Sequence, residues 1–556
     1  MRRAIALACV AACLSAAAQD ADPGGRYEQR IADLVLAPRG AEVERVGLNP
    51  RLHEGDAALY FDEDPEGLYA PFALEVALRR LLGFDALEVR VDEETGVLLA
   101  RTSPGGRGRL DRQLAWLRAV ERQRVEVRLR AYLLEAWPGA ELRPGAALSP
   151  EAARALASQR PWAELEVSLP DGVRVAGVAL RRELAFLGDY EVNQTGVVPV
   201  LNPQRSVFRE GLWAALRLSR MPAEARAVLE FDLGFARHEG AEQVEFRPGL
   251  PLVLPRWSEL AAEGSCVVTG ARTLVLAAVQ DTDGAGDGRA LVITAEVGAL
   301  PPALAPPDEA VVLRRYAWGA LDRPRRDAAD SGLSLDEGGP WSSDQRRERI
   351  AEALPGAVDP ERWSDESFVT QWTSGLVVCQ AGATQRRVAE HLQASWAQRQ
   401  RTVGHWLQVV RAGGEPRARL AVAACEGWPG SIAWQRKQAC LSEVERSAGA
   451  VSVRFRDPGD DPLVKTFAHG LTLEVQGVEV GGSLRVHVDL RRRALEAGQE
   501  RVRTPWGELT RPVEGWSWRV EESVRQGRGP ALAGEVRAPG APTLQVRLDS
   551  RMEGSK

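Results

Sequence analysis

The string best suited to chemistry in this 556-residue sequence is Asp281-Thr282-Asp283-Gly284-Ala285-Gly286-Asp287-Gly288, because carboxylates alternating with small residues can wrap a Ca²⁺ ion. An EF-hand-type loop begun at Asp281 puts Val292 where a bidentate Glu is required, and apolar strands flank the string, so it reads as a solvated hairpin loop. The six histidines, His53, His238, His391, His405, His469 and His487, are scattered, and none has a second His or Cys at the spacing a zinc site needs. His487 and Asp489 share one face of a strand-like stretch, the pattern of ordinary surface pairing. There is no Gly-x-Ser-x-Gly elbow, phosphate loop or dinucleotide fingerprint. Gly105-Gly106-Arg107-Gly108 follows Pro104 and reads as a turn. The expectation is a protein without catalytic residues, metal or cofactor.

Four cysteines lie beyond the N-terminal segment: Cys266, Cys379, Cys425 and Cys440. Cys425 and Cys440 are candidates for a disulfide, whose loop closure would contribute about 3 kcal/mol; two unpaired buried thiols fit the spacing equally well. Eleven of the sixteen tryptophans follow residue 300. Trp506, Trp516 and Trp518 fall in a predicted hairpin, with 516 and 518 on one side of a strand, and form a candidate interaction patch, either a membrane-interface girdle or a partner surface. Packing between sheets is the commoner use of such residues.

These residues sit in a chain of ordinary globular composition, 44% hydrophobic and 27% charged, with net charge −6. That balance gives no nucleic-acid footprint. Met1-Arg2-Arg3, the uncharged run Ala4 to Ala18 and the small residues Ala16 to Ala18 read as a signal peptide over residues 1–18. Val10-Ala11-Ala12-Cys13 offers lipoprotein processing at Cys13 as a second exit route. The protein is thus expected to be exported, to periplasm or outer membrane.

Internal repetition organises the remainder. Leu87 to Val91 and Val97 to Ala100 read as strands, Thr102 to Gly108 as a loop, Leu110, Leu114 and Leu117 as one helical face, and Val125, Val127, Leu129 and Ala131 as a half-buried strand. Leu376 to Cys379, a loop Ala381 to Thr384, a helix through Val388 and Leu392, and the strand Val403, His405, Leu407, Val409 repeat the order. Downstream, Phe208-Arg209-Glu210-Gly211-Leu212 and Phe467-Ala468-His469-Gly470-Leu471 each open a predicted hairpin. Leu300 to Pro307 is a Pro-rich linker, and Asp322 to Gln345 is a polar stretch to which no structure is assigned.

Leu98 to Glu135 resembles the join between the last periplasmic N-domain and the C-terminal domain of the secretin family. Asn193 to Leu201, the paired strands Phe208 to Phe235, and the hairpin Val267 to Ala277 with Ala290 to Val297 are similar to later segments of that domain. The resemblance implies an α+β fold in which small βαββ N-domain-like modules alternate with mainly antiparallel β modules, duplicated in one chain. The implied units are an N-domain-like module over 25–124, a β module over 125–300, a linker and second N-domain-like module over 301–402, and a degenerate β module over 403–545. It also implies a non-enzymatic envelope protein that self-associates or binds other secretion proteins, with outer-membrane contact. Two features depart from the family pattern: the chain carries two of each module, and no long Gly- and Ser-rich gate segment stands between the strands. A monomeric periplasmic or surface scaffold is the alternative.

Overall fold

A computed structural model describes residues 26–36, 68–82, 86–137, 142–193, 200–221, 225–247, 249–282, 288–302, 304, 311–318, 343–363, 367–372, 375–397, 401–411, 416–446, 460–480, 483–504, 507–526, 531–536 and 544–552. No described helix is long and apolar enough to cross a membrane.

The chain begins with β1 (Arg26–Arg30), α1 (Ala32–Val35), α2 (Pro71–Leu82), β2 (Ala86–Asp92), β3 (Val97–Thr102) and α3 (Pro104–Glu121). The three strands form a sheet in the order β1-β3-β2, every pair antiparallel. Leu110, Leu114 and Leu117 are buried as their spacing requires. The helix nevertheless starts earlier than the glycines suggested. Ser103 Oγ accepts a hydrogen bond from Gly106 N at 3.1 Å, and Pro104 occupies the first turn, where its missing N–H costs nothing. Gly105 to Gly108 are therefore helical, and cap chemistry overrides their weak propensity.

The first β module follows with β4 (Val125–Leu134), α4 (Pro150–Ala157), β5 (Ala163–Leu169), β6 (Arg174–Asn193), β7 (Val200–Arg220), β8 (Arg226–Arg247), β9 (Leu250–Thr269), β10 (Arg272–Asp281) and β11 (Ala290–Val297). Then β12 (Val311–Ala317), α5 (Ser343–Ala357), a 3₁₀ turn (Pro360–Arg362), β13 (Phe368–Trp372), β14 (Gly375–Ala381) and α6 (Gly382–Ala397) make a second small module of order β12-β14-β13. Here too the helix starts inside the expected loop, at Gly382, and Ser343 to Gln345 belong to α5. The chain continues with β15 (Thr402–Arg411), β16 (Pro416–Cys425), β17 (Pro429–Arg446), β18 (Asp460–Val480), β19 (Ser483–Thr504), β20 (Gly507–Gln526), β21 (Ala531–Val536) and β22 (Leu544–Met552).

Two eight-stranded sheets dominate. The short sheet has the order β21-β22-β15-β16-β10-β11-β4-β5, and the long sheet β20-β19-β18-β17-β9-β8-β7-β6. Strands of the long sheet run 18 to 22 residues, so each spans about 60 to 70 Å at the usual rise. The predicted hairpin arms covered only their apolar cores. Beyond them the alternation breaks at bulges, between Leu180 and Arg182 or His238 and Gly240, yet backbone pairing continues.

The sheets pack face to face. Leu212, Leu216, Leu229, Leu233 and Leu260 of the long sheet share one core with Val127, Leu129, Leu165 and Ile293 of the short sheet. The opposite face of the long sheet carries a second core in the first half, where Phe208, Trp213, Leu254 and Trp257 meet Tyr190. Tyr190 Oη donates to the Pro251 carbonyl at 3.2 Å, which places the far end of β6 over β9 and curls the sheet.

Candidate functional site

The residues singled out for chemistry do not converge. Residues 283–287 of the acidic string lie outside the described residues, and no group of three His, Cys, Asp or Glu side chains able to hold a metal occurs among the described residues. Asp489 is fully shielded, not at the surface, and accepts hydrogen bonds from Arg491 and Arg519. Burial opposes its charge, but hydrogen bonds from the two guanidiniums hold the carboxyl below its ordinary range. His405 is wholly buried with Nδ1 2.9 Å from Ser550 Oγ, and burial lowers its pKa to about 3.

Cys425 and Cys440 are both buried and neither belongs to a disulfide. The disulfide between them is not formed: Cys425 ends β16, whereas Cys440 lies well along β17, which starts at Pro429. Eleven residues of extended strand separate Pro429 from Cys440, or about 36 Å, far beyond disulfide reach. Burial, and then Glu242, push the Cys440 thiol up to about 12, which leaves it unreactive. Trp506 lies outside the described residues. Trp516 and Trp518 both fall on β20, the outermost strand of the long sheet, with Trp518 opposite Arg492.

What the fold does build is a junction in the middle of both large sheets. β9 pairs with β17 from Arg256 opposite Gln438 to Glu263 opposite Ser431, and β10 pairs with β16 from Ala277 opposite Val422 to Asp281 opposite Ala418. Each joins a strand before residue 300 to one after residue 400. Lys437 Nζ lies 2.5 Å from Glu259 Oε2, with both side chains largely buried, and Arg419 Nη1 donates to Gln280 Oε1 at 2.8 Å. Between the sheets, Ser265 Oγ accepts from Cys425 N at 3.0 Å and Thr402 Oγ1 accepts from Val267 N at 2.8 Å. Gly264 permits this approach, since a Cβ there would collide with the Ala423 carbonyl. Trp137 adds a ring contact to Trp406, centroids 5.7 Å apart.

Register shows where the same edges recur. Gly211 stands opposite Leu180, and Gly470 stands opposite Gln435. In both places a Cβ would strike the carbonyl of the preceding residue on the partner strand, Ala179 or Trp434. The repeated Phe-x-x-Gly-Leu thus marks one close approach of two strands, and Leu180 holds the position that Gln435 holds. At the junction Gln435 is opposite Glu259. Among the described residues no strand lies beyond β6, and Val178 and Leu180 on it are 42% and 46% exposed. At the far end of the same sheet, β20 is equally terminal. Ala236 pairs with Gly211 and Glu259, while Arg493 pairs with Gly470 and Ser517, so Ser517 holds the position of Glu259.

Little in the residue types announces this arrangement. Glu259, Lys437 and Gly264 carry no motif, because pairing between strands is made by backbone groups. The run Arg491-Arg492-Arg493 was visible but indistinct among 71 Lys and Arg.

No protein-family model matches the chain, and no curated protein does. Solved structures with some likeness include the InvG secretin domain β-barrel from the Salmonella SPI-1 injectisome, at 12% identity and TM-score 0.25, covering 59% of this chain and 97% of that one. A second is the Klebsiella pneumoniae type II secretion system outer membrane complex of PulD, PulS and the PulC HR domain, at 13% identity and TM-score 0.23. That match covers 52% of this chain and 53% of the other. Aeromonas hydrophila ExeD aligns at 13% identity and TM-score 0.20, over 54% of this chain and 65% of its own.

Proposed function

We propose that the chain is two fused copies of one wall-forming unit, and that chains join head to tail through strand edges to build a secretin-like wall in the envelope, without catalysis. The observation that carries this reading is the order of the large sheets. Taking β4 with β15, β5 with β16 and so on to β11 with β22, each sheet has one four-strand order twice in succession. A head-to-tail contact leaves its two complementary edges unused at the ends, so it propagates until it closes or runs on. Here those ends are β5 and β6 on one side and β20 and β21 on the other. A 20-residue edge strand with exposed Val178 and Leu180 is a ready template for another strand.

A monomeric scaffold is the second reading, and the aromatic core under Tyr190 favours it, because the curled first half already fills its own concave face.

Cross-linking separates the two. Leu180 and Ser517 stand where Gln435 and Glu259 stand at the internal junction. A Leu180→Cys, Ser517→Cys chain, oxidised in the membrane fraction, is expected to give a ladder of multiples on non-reducing gels, and each single variant is expected to give none or only dimers. A double variant that runs as monomer, from a wild-type chain that also sediments as monomer at all concentrations, would leave the scaffold.

A further inference from the structure

Two contacts besides the strand edges hold the junction within one chain. The first is a strap, residues 142–148, in the long link from Leu134 at the end of β4 to Ala163 at the start of β5. It lies on the short-sheet face turned away from the long sheet and crosses from the first half to the second. On β10, the Val275 carbonyl accepts from Gly145 N at 2.7 Å and the Thr273 carbonyl accepts from Leu148 N at 2.9 Å. On β15, the Pro144 carbonyl sits where a Cβ on Gly404 would lie only 2.5 Å away, and Leu142 and Leu148 pack with Ala421 of β16. The second contact is made by the small modules. Helices α2 and α3 of the first cover the sheet face of the second that its own helices leave free, where Leu313, Val377 and Cys379 are buried. There Arg80 lies over the Phe368 ring at 4.8 Å, and Gln113 Nε2 donates to the Leu313 carbonyl at 3.5 Å.

Among the described residues, neither contact has a counterpart at the chain's ends. Setting Val125 on Val403, as the repeated strands do, puts Glu126 where Gly404 is, Ser168 where Ala423 is and Glu166 where Ala421 is. Glu126 and Glu166 are exposed, and Ser168 Oγ donates to Glu126 Oε1 at 2.6 Å. The seat that is small and apolar in the second half is therefore polar and filled in the first. The second half also lacks a strap to offer, since β15 ends at Arg411 and β16 starts at Pro416, a span too short to lie across a sheet. In the small modules, the first sheet's face away from its own helices carries Arg26, Glu28, Arg30, Glu88, Arg90 and Arg101 around Leu99, all six charged groups exposed. Covering that face would strip water from the charges with little apolar burial to offset it.

We infer that a wall of such chains parts at every second joint. Chain meets chain, β5 and β6 of one against β20 and β21 of another, through strand edges alone. These joints open and exchange whole chains, while the joint inside each chain stays closed under its strap and its paired small modules. This rests on chains joining head to tail.

The test follows the full chain, extracted in mild detergent, through a urea titration, with light scattering reading mass and tryptophan fluorescence reading folding. Mass is expected to fall to that of one chain while the fluorescence is still native, and two differently tagged assemblies mixed at that urea concentration are expected to give mixed particles. Leu180→Lys should lower the dissociation midpoint and leave the unfolding midpoint in place, because Leu180 is a half-exposed edge residue. Gly404→Ala, whose Cβ displaces the Pro144 carbonyl, should lower the unfolding midpoint and leave dissociation in place. If Gly404→Ala does not fold, Trp137→Ala serves, since it removes only the ring contact to Trp406 and the Arg419 guanidinium beside it. Dissociation that coincides with unfolding, or assemblies that stay unmixed, overturns the labile joint and leaves the wall. A chain that is monomeric at every concentration overturns the wall, and the joint with it.

Discussion

Arg315 on β12 and Glu121 at the end of α3 form an ion pair of 2.8 Å in which the two side chains are 1% and 5% exposed. Tyr69 donates to the same carboxylate at 2.9 Å, and Arg315 donates to the Asp171 carbonyl at 2.6 Å. One buried network therefore ties the first small module, the second small module and the turn before β6. Burial alone would discourage the charge on Arg315, but Glu121 more than offsets it and raises the guanidinium's pKa.

Removing one member of such a pair strands the other. Glu121→Leu or Arg315→Met is expected to cost about 3–5 kcal/mol in urea unfolding, whereas Glu121→Leu with Arg315→Met should cost less than either single charge removal. Additive losses in that cycle would mean the two groups act separately.

Gly264→Val is expected to separate the halves, because its side chain would occupy the space of the Ala423 carbonyl across the sheets. A loss of at least about 3 kcal/mol, or a second unfolding transition, is the expected result by denaturation and calorimetry. A single unshifted transition would show that the sheets part without cost.

His405 supplies a pH dependence. Its folded pKa, about 3, lies below the ordinary value of 6.5, so the unfolded chain binds the extra proton between those limits. Its contribution is complete above about pH 6.5 and is lost as pH falls toward 3. His405→Leu loses the Ser550 contact and should be less stable at pH 7, yet its urea midpoint should fall less steeply between pH 6.5 and 4. An acid limb of unchanged slope would assign the sensitivity to other groups.

The glycines at the start of α3 offer a gain. A Cβ at Gly105 or Gly108 meets nothing closer than 3.6 Å, and neither needs a positive φ. Gly105→Ala and Gly108→Ala should each stabilise by roughly 0.5–1 kcal/mol, read as a raised melting temperature. A destabilising alanine would indicate that this turn is not helical.

Parts of this fold were legible in residue type. The leucines of α3, the alternation through Val125 to Ala131 and the twin Phe-x-x-Gly-Leu strings each reported a local constraint: a buried stripe, a half-buried strand, a backbone contact only glycine tolerates. The outer reaches of β8 and β19 were not, since polar residues on both faces there leave no period to read. Nor was the pairing of β9 with β17, which is specified by hydrogen bonds every residue can make. Arg491 and Arg519 meet on Asp489 from the adjacent strands β19 and β20, a pairing that only the structure brings together.

Gly234 lies opposite Trp213 in the first half, and Arg491 lies opposite Thr472 at the matching positions of the second. In a wall made from identical single units every such site would have to carry the same chemistry. In the proposed arrangement, with two units in one gene, that restriction is lifted: neighbouring positions can diverge, one keeping an indole over a glycine and the next a guanidinium opposite a hydroxyl residue, with their alternation guaranteed by translation instead of by selective assembly.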